Sequence, residues 1–385
     1  MSRPHSIFII AGEPSGDVLG ARLIAALREL TGGKVEVCGV GGEMMREQGL
    51  ESIFPMEELS VMGIAEILPH LPRLLRRIRE TAVAVDRAAP DALVTIDSPD
   101  FTRRVVRRVT DRAIPRIHFV APTVWAWRPW RAKGFARDFT HLLALLPFEP
   151  AWFESVGLPC DFVGHPVIES GADKGDGAAF RARHGIAADA PVVCVLPGSR
   201  RGEIVRLAGD FGSAVTLLAK QHSGMRLVVP TVEAMAPMVR DLAAGWPGSP
   251  IVLQGAAERY DAMAASNAAL AASGTVALEL ALARVPTVVA YRVAPLTHFI
   301  VRRLLSTEFG NLINIIEDRE IVPELIQGDC RPDRLVAALE RMLGPEGVAQ
   351  TEAMQPALSQ LGLGGEAPSR RAAQAVLDII ARSGT

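Results

Sequence analysis

The chain has 385 residues, of which 49% are hydrophobic and 22% are charged, and its formal net charge at pH 7 is −2. This length allows two domains of ordinary size, and the apolar content is sufficient for two buried cores. A charge so close to zero argues against a general nucleic-acid-binding protein.

The predicted elements alternate between strand and helix along the chain. In the first half, apolar runs predict strands at 7–11, 35–40, 92–96, 117–120 and 142–145, with helices at 17–30, 66–88 and 101–112. In the second half, similar runs separated by helical segments predict strands at 192–196, 226–229, 251–253, 268–271 and 287–289. This alternation is typical of parallel sheets with helices on both faces. We therefore predict an α/β protein with two Rossmann-like domains facing across a cleft.

The alternation has a gap that marks the domain boundary. Small and polar residues replace the apolar runs near 164–178, which indicates a linker. We predict an N-terminal domain at 1–170, a C-terminal domain at 171–350 and a helical tail at 351–385. We expect the tail to pack on the N-terminal domain or on a partner chain, and the second arrangement would give a homodimer.

A glycine turn after the strand at 192–196 predicts an anion site. Pro197 ends the apolar run, and the Gly198-Ser199 turn precedes a helix expected to open at Glu203. Backbone N–H groups and a helix N-terminus then converge on one point, which suits a phosphate. Arg200 or Arg201 adds a planar fork of donors that fits the same group. We therefore expect the second half of the chain to bind a diphosphate.

A second glycine turn follows the strand at 268–271. Ser273, Gly274 and Thr275 can present hydroxyl and N–H groups to a phosphate. Glu279 lies one helical turn beyond Thr275 and faces the same side, where its carboxylate can accept two hydrogen bonds from vicinal ribose hydroxyls. The alternative is a helix cap followed by a surface glutamate. Together with the first glycine turn, this segment indicates a nucleotide-sugar site.

The loop after the first predicted strand is acidic. Residues 11–17 take the place of a dinucleotide fingerprint but lack the G-x-G-x-x-G pattern. An acidic loop would repel pyrophosphate, so we assign Glu13 and Ser15 to a substrate that carries hydroxyl groups. Helix capping by Ser15 or Asp17 is the alternative, although it leaves Glu13 unexplained.

Two further polar positions are candidates for the chemistry. Transfer to a hydroxyl needs a general base, and Asp97 is the better candidate because it leaves the strand at 92–96 directly, whereas Asp100 is expected to cap the next helix. The alternative for Asp97 is a structural turn acceptor. Asn314 falls in a polar segment between helices, where it is either a phosphate or sugar ligand or a loop residue.

Basic and apolar residues are interleaved in two segments of the first half. An apolar run at 59–67 precedes a helix that carries Arg73, Arg76, Arg77 and Arg79, and tryptophans at 125, 127 and 130 alternate with basic residues. This composition favours an anionic lipid surface. The alternative is a packing helix with a solvated basic face.

The cysteines and the apolar segments indicate a cytoplasmic location. The four cysteines are scattered without a C-x-x-C pair, which predicts neither a zinc site nor a disulfide framework and fits a reducing compartment. The apolar run before Gly12 is too short for a signal peptide, and no apolar stretch is long enough to span a membrane.

Eight collinear segments carry a resemblance to a known family. The chain resembles the lipid-A-disaccharide synthases, which are bacterial glycosyltransferases with the two-domain B-type fold. The segments are AGEPSGD at 11–17, MEELSVMGIAEIL at 56–68, IDSPDF at 96–101, PTVWAWR at 122–128, LPFE at 146–149, GHP at 164–166, LPGSRRGEI at 196–204 and ASGTVALE at 272–279.

The resemblance implies a reaction and its substrates. UDP-2,3-diacylglucosamine would donate its sugar to the 6-hydroxyl of 2,3-diacylglucosamine 1-phosphate (lipid X), with inversion and release of UDP. The family requires no metal or cofactor and is peripheral to the inner face of the cytoplasmic membrane.

The resemblance also implies roles for single residues. Asp97 matches the candidate base, Arg200 the arginine at the diphosphate, and Glu279 the ribose-binding glutamate. The remaining matches are Ser273 and Thr275 near phosphate, and Glu13 and Asn314 in the interdomain cleft.

Two other functions are compatible with these patterns. A UDP-N-acetylglucosamine 2-epimerase would use the same nucleotide site, but it would leave the apolar and aromatic surfaces of the first half without a purpose. A non-catalytic peripheral membrane protein that senses a nucleotide-sugar would bind UDP without turnover.

Overall fold

The computed structural model describes residues 3–59, 64–127, 129–255, 257–272, 274–293 and 307–383, with the backbone alone described for 64–70. The chain divides into two compact units. Unit 1 comprises Met1–Pro166 and Gly364–Thr385, and unit 2 comprises Val167–Leu363.

Unit 1 is built on a seven-stranded parallel sheet in the order β3-β2-β1-β4-β5-β6-β7. Its strands are β1 (His5–Ala11), β2 (Val35–Val40), β3 (Glu51–Ser52), β4 (Ala92–Ile96), β5 (Arg116–Phe119), β6 (His141–Ala144) and β7 (Cys160–Phe162). The helices between them are α1 (Pro14–Thr31), α2 (Glu43–Glu47), α3 (Ile64–Ala88), α4 (Pro99–Val106), α5 (Arg131–Asp138) and α6 (Glu149–Glu154).

Unit 2 is built on a six-stranded parallel sheet in the order β10-β9-β8-β11-β12-β13. Its strands are β8 (Val192–Leu196), β9 (Arg226–Thr231), β10 (Ile251–Gln254), β11 (Ala268–Ala272), β12 (Thr287–Tyr291) and β13 (Glu324–Ile326). Its helices are α7 (Gly177–Arg183), α8 (Arg201–Gln221), α9 (Ala236–Ala243), α10 (Arg259–Ala264), α11 (Val276–Leu282), α12 (Leu312–Glu317), α13 (Pro332–Leu343), α14 (Pro345–Ala353) and α15 (Gln355–Gln360).

The prediction of an α/β fold with two parallel sheets is confirmed. The central strands β4, β8 and β11 are buried along their whole length, because helices cover both faces of each sheet. Every predicted strand is present, whereas β3, β7 and β13 were not predicted. These three have only two or three residues each and so carry little apolar pattern.

The predicted helix at 101–112 requires a correction. The structure has α4 at Pro99–Val106, with Ser98 at the N-cap position, so Asp100 lies in the first turn and does not cap the helix. Proline is favoured in the first turn because its missing N–H has no partner there in any case.

The strand order of each sheet reverses once. In unit 1, β1 pairs with both β2 and β4, and in unit 2, β8 pairs with both β9 and β11. The connections after these strands leave in opposite directions, which opens a crevice at the carboxyl ends where open α/β sheets bind ligands. In unit 1 the two loops approach closely, since a Cβ on Gly12 would lie 2.5 Å from the Ser98 hydroxyl oxygen.

The C-terminal helix α16 (Pro368–Ser383) belongs to unit 1. Its apolar face, with Ala372, Val376 and Ile379, joins the core cluster that contains Leu23 and Leu27 of α1. Outside that core, the Arg371 guanidinium lies over the Phe162 ring at 5.1 Å. The exchange of this helix with a partner chain remains a prediction.

Candidate active site

Unit 2 contains a pocket of about 600 Å³ at the carboxyl ends of four neighbouring strands, β8 to β11. It spans the point where the strand order reverses, which is the position expected for a ligand. Its lining includes four predicted residues, Arg200, Gly274, Thr275 and Glu279. The remaining lining residues are Leu196, Gly198, Ser199, Glu203, Pro230, Thr231, Val232, Glu233, Gly255, Arg259, Ala272 and Val276.

Two glycine turns form one wall of this pocket. Gly198 and Gly274 adopt φ angles of +121° and +151°, which residues with a side chain rarely adopt. The backbone can therefore turn sharply at the end of β8 and of β11. Ser273, predicted to contact phosphate, lies outside the described residues.

The structure distinguishes between the two candidate arginines. Arg200 lines the pocket with a side chain that is 69% exposed, whereas Arg201, the first residue of α8, is not part of the lining. The helix was expected to open at Glu203, but it opens at Arg201, which places Glu203 in its first turn.

Glu203 occupies part of the predicted anion site. Its Oε2 accepts from the backbone N–H groups of Ser199 at 3.3 Å and Arg200 at 3.4 Å. Its Oε1 lies 3.5 Å from Arg200 Nη1. The N–H groups of the glycine turn thus bind a carboxylate. The sequence predicted an anionic ligand at this position.

Glu279 is held by two residues that the sequence analysis did not select. Arg259 Nη2 donates to Glu279 Oε1 at 2.9 Å, and the Tyr260 hydroxyl donates to the same oxygen at 3.1 Å. Burial raises the pKa of the Glu279 carboxyl, and the Arg259 charge and the Tyr260 hydrogen bond oppose that rise. Arg259 lies five residues after β10, in the segment that follows the carboxyl end of that strand, but its place at the pocket follows from the pairing of β10 beside β9.

Thr231 adds a buried polar group to the pocket. Its hydroxyl oxygen lies at the carboxyl end of β9 and has no hydrogen-bond partner among the described residues. A buried hydroxyl without a partner is uncommon in native proteins and is consistent with a ligand group at this point.

Unit 1 contains a smaller cavity of about 210 Å³ around Asp97. Asp97 leaves β4 directly, and the loop after β5 forms the opposite wall. The full lining is Asp97, Pro99, Val120, Ala121, Pro122, Thr123, Val124, Trp127 and Arg131.

Backbone strain is concentrated at this cavity. Asp97 and its neighbour Ser98 have φ angles of +51° and +45°, and Val120 has +77°. Such angles cost about 1–3 kcal/mol for each residue that is not glycine, and they persist where the surroundings enforce them, commonly at functional sites. The Asp97 carboxylate accepts from the Ser98 N–H at 2.8 Å, which stabilises this unusual turn.

The acidic loop after β1 lies beside the Asp97 loop but does not line its cavity. Glu13 is half-buried at the N-cap position of α1, and Ser15 is exposed in the first turn. Neither Ser15 nor Asp17 caps α1, contrary to the alternative interpretation. Asp17 instead accepts from the N–H groups of Gly42, Met44 and Met45 at 2.8–3.1 Å, so it caps α2.

Asn314 is fully buried in helix α12 rather than in a segment between helices. Its amide nitrogen donates to Val322 O and Glu324 Oε1, and its amide oxygen accepts from the N–H groups of Ile321 and Val322, all at 2.8–2.9 Å. Both donors and both acceptor positions of the amide are thus used within the fold. Asn314 therefore stabilises the segment that joins α12 to β13, and it is not part of the proposed binding site.

Only part of the tryptophan segment lies at the surface of unit 1. Trp125 is buried, and its indole N–H donates to Glu149 Oε1 at 3.1 Å, so its assignment to a membrane surface was wrong. Trp130 is 65% exposed.

The basic residues of α3 are partly paired within the fold. Arg77 is bound by Glu58 and Glu80, whereas Arg73, Arg76 and Arg79 are exposed. The apolar run at 59–67 falls largely outside the described side chains.

In the described ranges, no group of three or more histidine, cysteine, aspartate or glutamate side chains is arranged to hold a metal ion. No helix in the same ranges is long and apolar enough to cross a bilayer.

Solved structures with the same fold identify the class. The chain is similar to UDP-GlcNAc 2-epimerase from Neisseria meningitidis, with a TM-score of 0.64, 13% identity and coverage of 98% of this chain and 100% of the epimerase. It is also similar to MurG from Acinetobacter baumannii, with a TM-score of 0.57, 14% identity and coverage of 98% and 100%. The fold is therefore the GT-B type, with two parallel α/β sheets.

Sequence comparison identifies the family within this class. A family model described as lipid-A-disaccharide synthetase matches residues 7–378. The lipid-A-disaccharide synthase of Rhodospirillum centenum is 56% identical over 99% of this chain and 96% of its own length. That of Paramagnetospirillum magneticum is 52% identical over 97% of both chains. The chain belongs to the lipid-A-disaccharide synthetase family of glycosyltransferases.

Proposed function

We propose that this chain transfers 2,3-diacylglucosamine from UDP-2,3-diacylglucosamine to the 6-hydroxyl of 2,3-diacylglucosamine 1-phosphate, with inversion and without a metal. The observation that carries the proposal is the pocket of unit 2, where Arg200, Thr275 and Glu279 line the reversal point of the sheet. These side chains match the charge and hydroxyl pattern of a UDP group. Unit 2 is then the donor domain and unit 1 the acceptor domain.

Asp97 is the proposed general base. Its carboxylate lines a cavity that can admit a hydroxyl group, and its strained backbone fixes the direction in which it leaves β4. Removal of the proton from the 6-hydroxyl strengthens this oxygen as a nucleophile while it attacks the donor carbon. A single displacement needs one base and forms no covalent intermediate, so the configuration at that carbon inverts.

Arg200 and the glycine turns are proposed to stabilise the departing UDP. Negative charge accumulates on the diphosphate as the glycosidic bond breaks, and a guanidinium together with fixed backbone N–H groups can stabilise that charge. Glu203 now accepts from the N–H groups of Ser199 and Arg200, so the diphosphate must compete with it for them. Glu279 would accept from the ribose hydroxyls.

We further propose that unit 1 associates peripherally with the inner face of the cytoplasmic membrane. Leu71 is 37% exposed on α3, near the exposed Arg73, Arg76 and Arg79, and Trp130 is exposed on the same unit. Exposed apolar and basic side chains together favour an anionic lipid surface.

The test is a radiolabel assay with both lipid substrates in mixed micelles, with and without EDTA. Disaccharide 1-phosphate formed at equal rates in both would support the transfer and its metal independence. Activity lost in EDTA and restored by a divalent cation would contradict the metal-free site alone. Absence of disaccharide, with C2 epimerisation of a UDP-sugar, would favour the epimerase alternative.

A further inference from the structure

The Asp97 cavity contains a second charged side chain that the proposed chemistry leaves unused. Arg131, the first residue of α5, lines the same cavity as Asp97 and Trp127. Apart from these two charged side chains and Thr123, the cavity lining is apolar. The cavity therefore offers one carboxylate and one guanidinium to whatever enters it.

Among the described residues, the Arg131 guanidinium has no hydrogen-bond or ion-pair partner. In the described part of the chain, no carboxylate lies within ion-pairing distance of Arg131. By contrast, the nearby Arg103 and Arg107 both bind Asp138, at 2.7 and 2.9 Å. Arg131 is half-buried, so its charge has lost part of its hydration without gaining a carboxylate partner among the described residues. An anion in the cavity would supply that partner.

We propose that Arg131 binds the 1-phosphate of the acceptor sugar while Asp97 receives the proton of its 6-hydroxyl. This inference rests on the proposed function, because that reaction brings a sugar 1-phosphate to this cavity. A guanidinium presents its donors in a planar fork that matches two phosphate oxygens. Arg131 thus selects acceptors that carry the phosphate.

The geometry of the acceptor is compatible with both contacts at once. In a pyranose, C1 and C5 are both bonded to the ring oxygen, so the 1-phosphate and the 6-hydroxymethyl group project from the two corners on either side of that oxygen. One small cavity can therefore receive both groups. Its volume of about 210 Å³ is below the range of about 300–1,000 Å³ typical of pockets that enclose a whole ligand. The sugar headgroup would enter, and the acyl chains would remain outside.

The experiment compares two acceptors that differ only in the 1-phosphate. Initial rates are measured in neutral detergent micelles, so that the charge of the lipid surface does not contribute. The variants are Arg131→Ala, Arg131→Gln and Arg131→Lys, with Lys133→Ala as the control because Lys133 is an exposed cation on the same helix outside the cavity lining. Arg131→Gln retains most of the side-chain length in case the alanine variant does not fold.

We expect Arg131→Ala and Arg131→Gln to raise the KM for the phosphorylated acceptor about ten- to a hundredfold, with kcat close to that of the wild type. Arg131→Lys should recover part of the affinity, since a point charge replaces the fork. The rate with the acceptor that lacks phosphate, which the wild type should use poorly, should be the same in the wild type and in these variants. Lys133→Ala should match the wild type with both acceptors.

Two outcomes would overturn the inference. An unchanged KM for the phosphorylated acceptor would show that Arg131 does not contact it, and an equal loss with both acceptors would show that Arg131 does not recognise the phosphate. Failure of the wild-type protein to form a disaccharide from either acceptor is a different result, which would refute the proposed function itself.

Discussion

Arg259 Nη2 and Glu279 Oε1 lie 2.9 Å apart in the wall of the unit 2 pocket, and they form an ion pair between α10 and α11. Burial and the neighbouring guanidinium have opposite effects on the pKa of the Glu279 carboxyl. Burial raises the pKa of Glu279, whereas the neighbouring guanidinium favours the ionised carboxylate. Since the ionised form offers the most acceptor sites for ribose hydroxyls, Arg259 is expected to support donor binding indirectly.

Arg259→Ala should therefore raise the pKa of Glu279 further. This variant should bind the donor more weakly than the wild type, and the difference should be largest at low pH. We expect the donor KM of this variant to rise more steeply than that of the wild type as the pH falls toward the ordinary titration range of a glutamate carboxyl. The donor is a diphosphate diester, so its own phosphates do not titrate in this range. A KM ratio between variant and wild type that stays constant with pH would contradict this account.

Arg200→Ala should weaken UDP binding by about 2 kcal/mol, the usual contribution of a hydrogen bond to a charged group. Its neighbour Arg201 provides a matched control, because it has the same charge but is not part of the pocket lining. Calorimetric titration with UDP measures both variants under one set of salt conditions, since exposed charges are screened. Equal losses in the two variants would indicate a general charge effect in place of a contact with the diphosphate.

The sequence was sufficient to predict the strands and the turns that bear the site. Strands such as β4 and β8 are continuous apolar runs because both faces of each sheet are covered, and glycine turns identify the loops that follow β8 and β11. The place of Asp97 at the carboxyl end of β4, where it lines a cavity, could be predicted from its position directly after a strand. These signals are local and need no knowledge of the strand order.

The residues that sequence reasoning missed depend on the tertiary fold. Arg259 and Arg131 lie in helices, and their proximity to the pockets follows from the order in which the strands pair. The errors have the same origin. Trp125 was assigned to a surface because its neighbours are basic. Its indole N–H instead donates to the buried carboxylate of Glu149, which lies 24 positions further along the chain.

Asp97→Asn should lower kcat by a factor of about 10²–10⁴, the usual effect of removing a general base, and leave the donor KM close to that of the wild type. Asparagine is suitable because it tolerates a left-handed backbone such as the φ of +51° at this position. The control is Asp100→Asn, which changes an exposed carboxylate in the first turn of α4. Retention of most of the activity in Asp97→Asn would place the base elsewhere.

Glu149 should make the stability of unit 1 depend on pH around neutrality. Its carboxylate accepts from the indole N–H of Trp125 and from the N–H groups of Leu145 and Leu146, at 3.0–3.1 Å. Burial raises the pKa of Glu149 from 4.5 to about 7, and the three hydrogen bonds only partly oppose that rise. Between these two values the folded state holds a proton that the unfolded state releases, so stability falls as the pH rises through this window.

The size of this effect is about 3–4 kcal/mol, from a rise of 2.5 in pKa (7 − 4.5) at about 1.4 kcal/mol for each pKa unit. Urea unfolding of the wild type and of Glu149→Gln at intervals from pH 5 to 8 isolates the contribution, because glutamine does not titrate. The difference in unfolding free energy between them should change across this range. Glu154→Gln, on the exposed side of α6, should follow the wild type throughout. Parallel curves for the wild type and Glu149→Gln would mean that Glu149 remains ionised in the folded protein across this range.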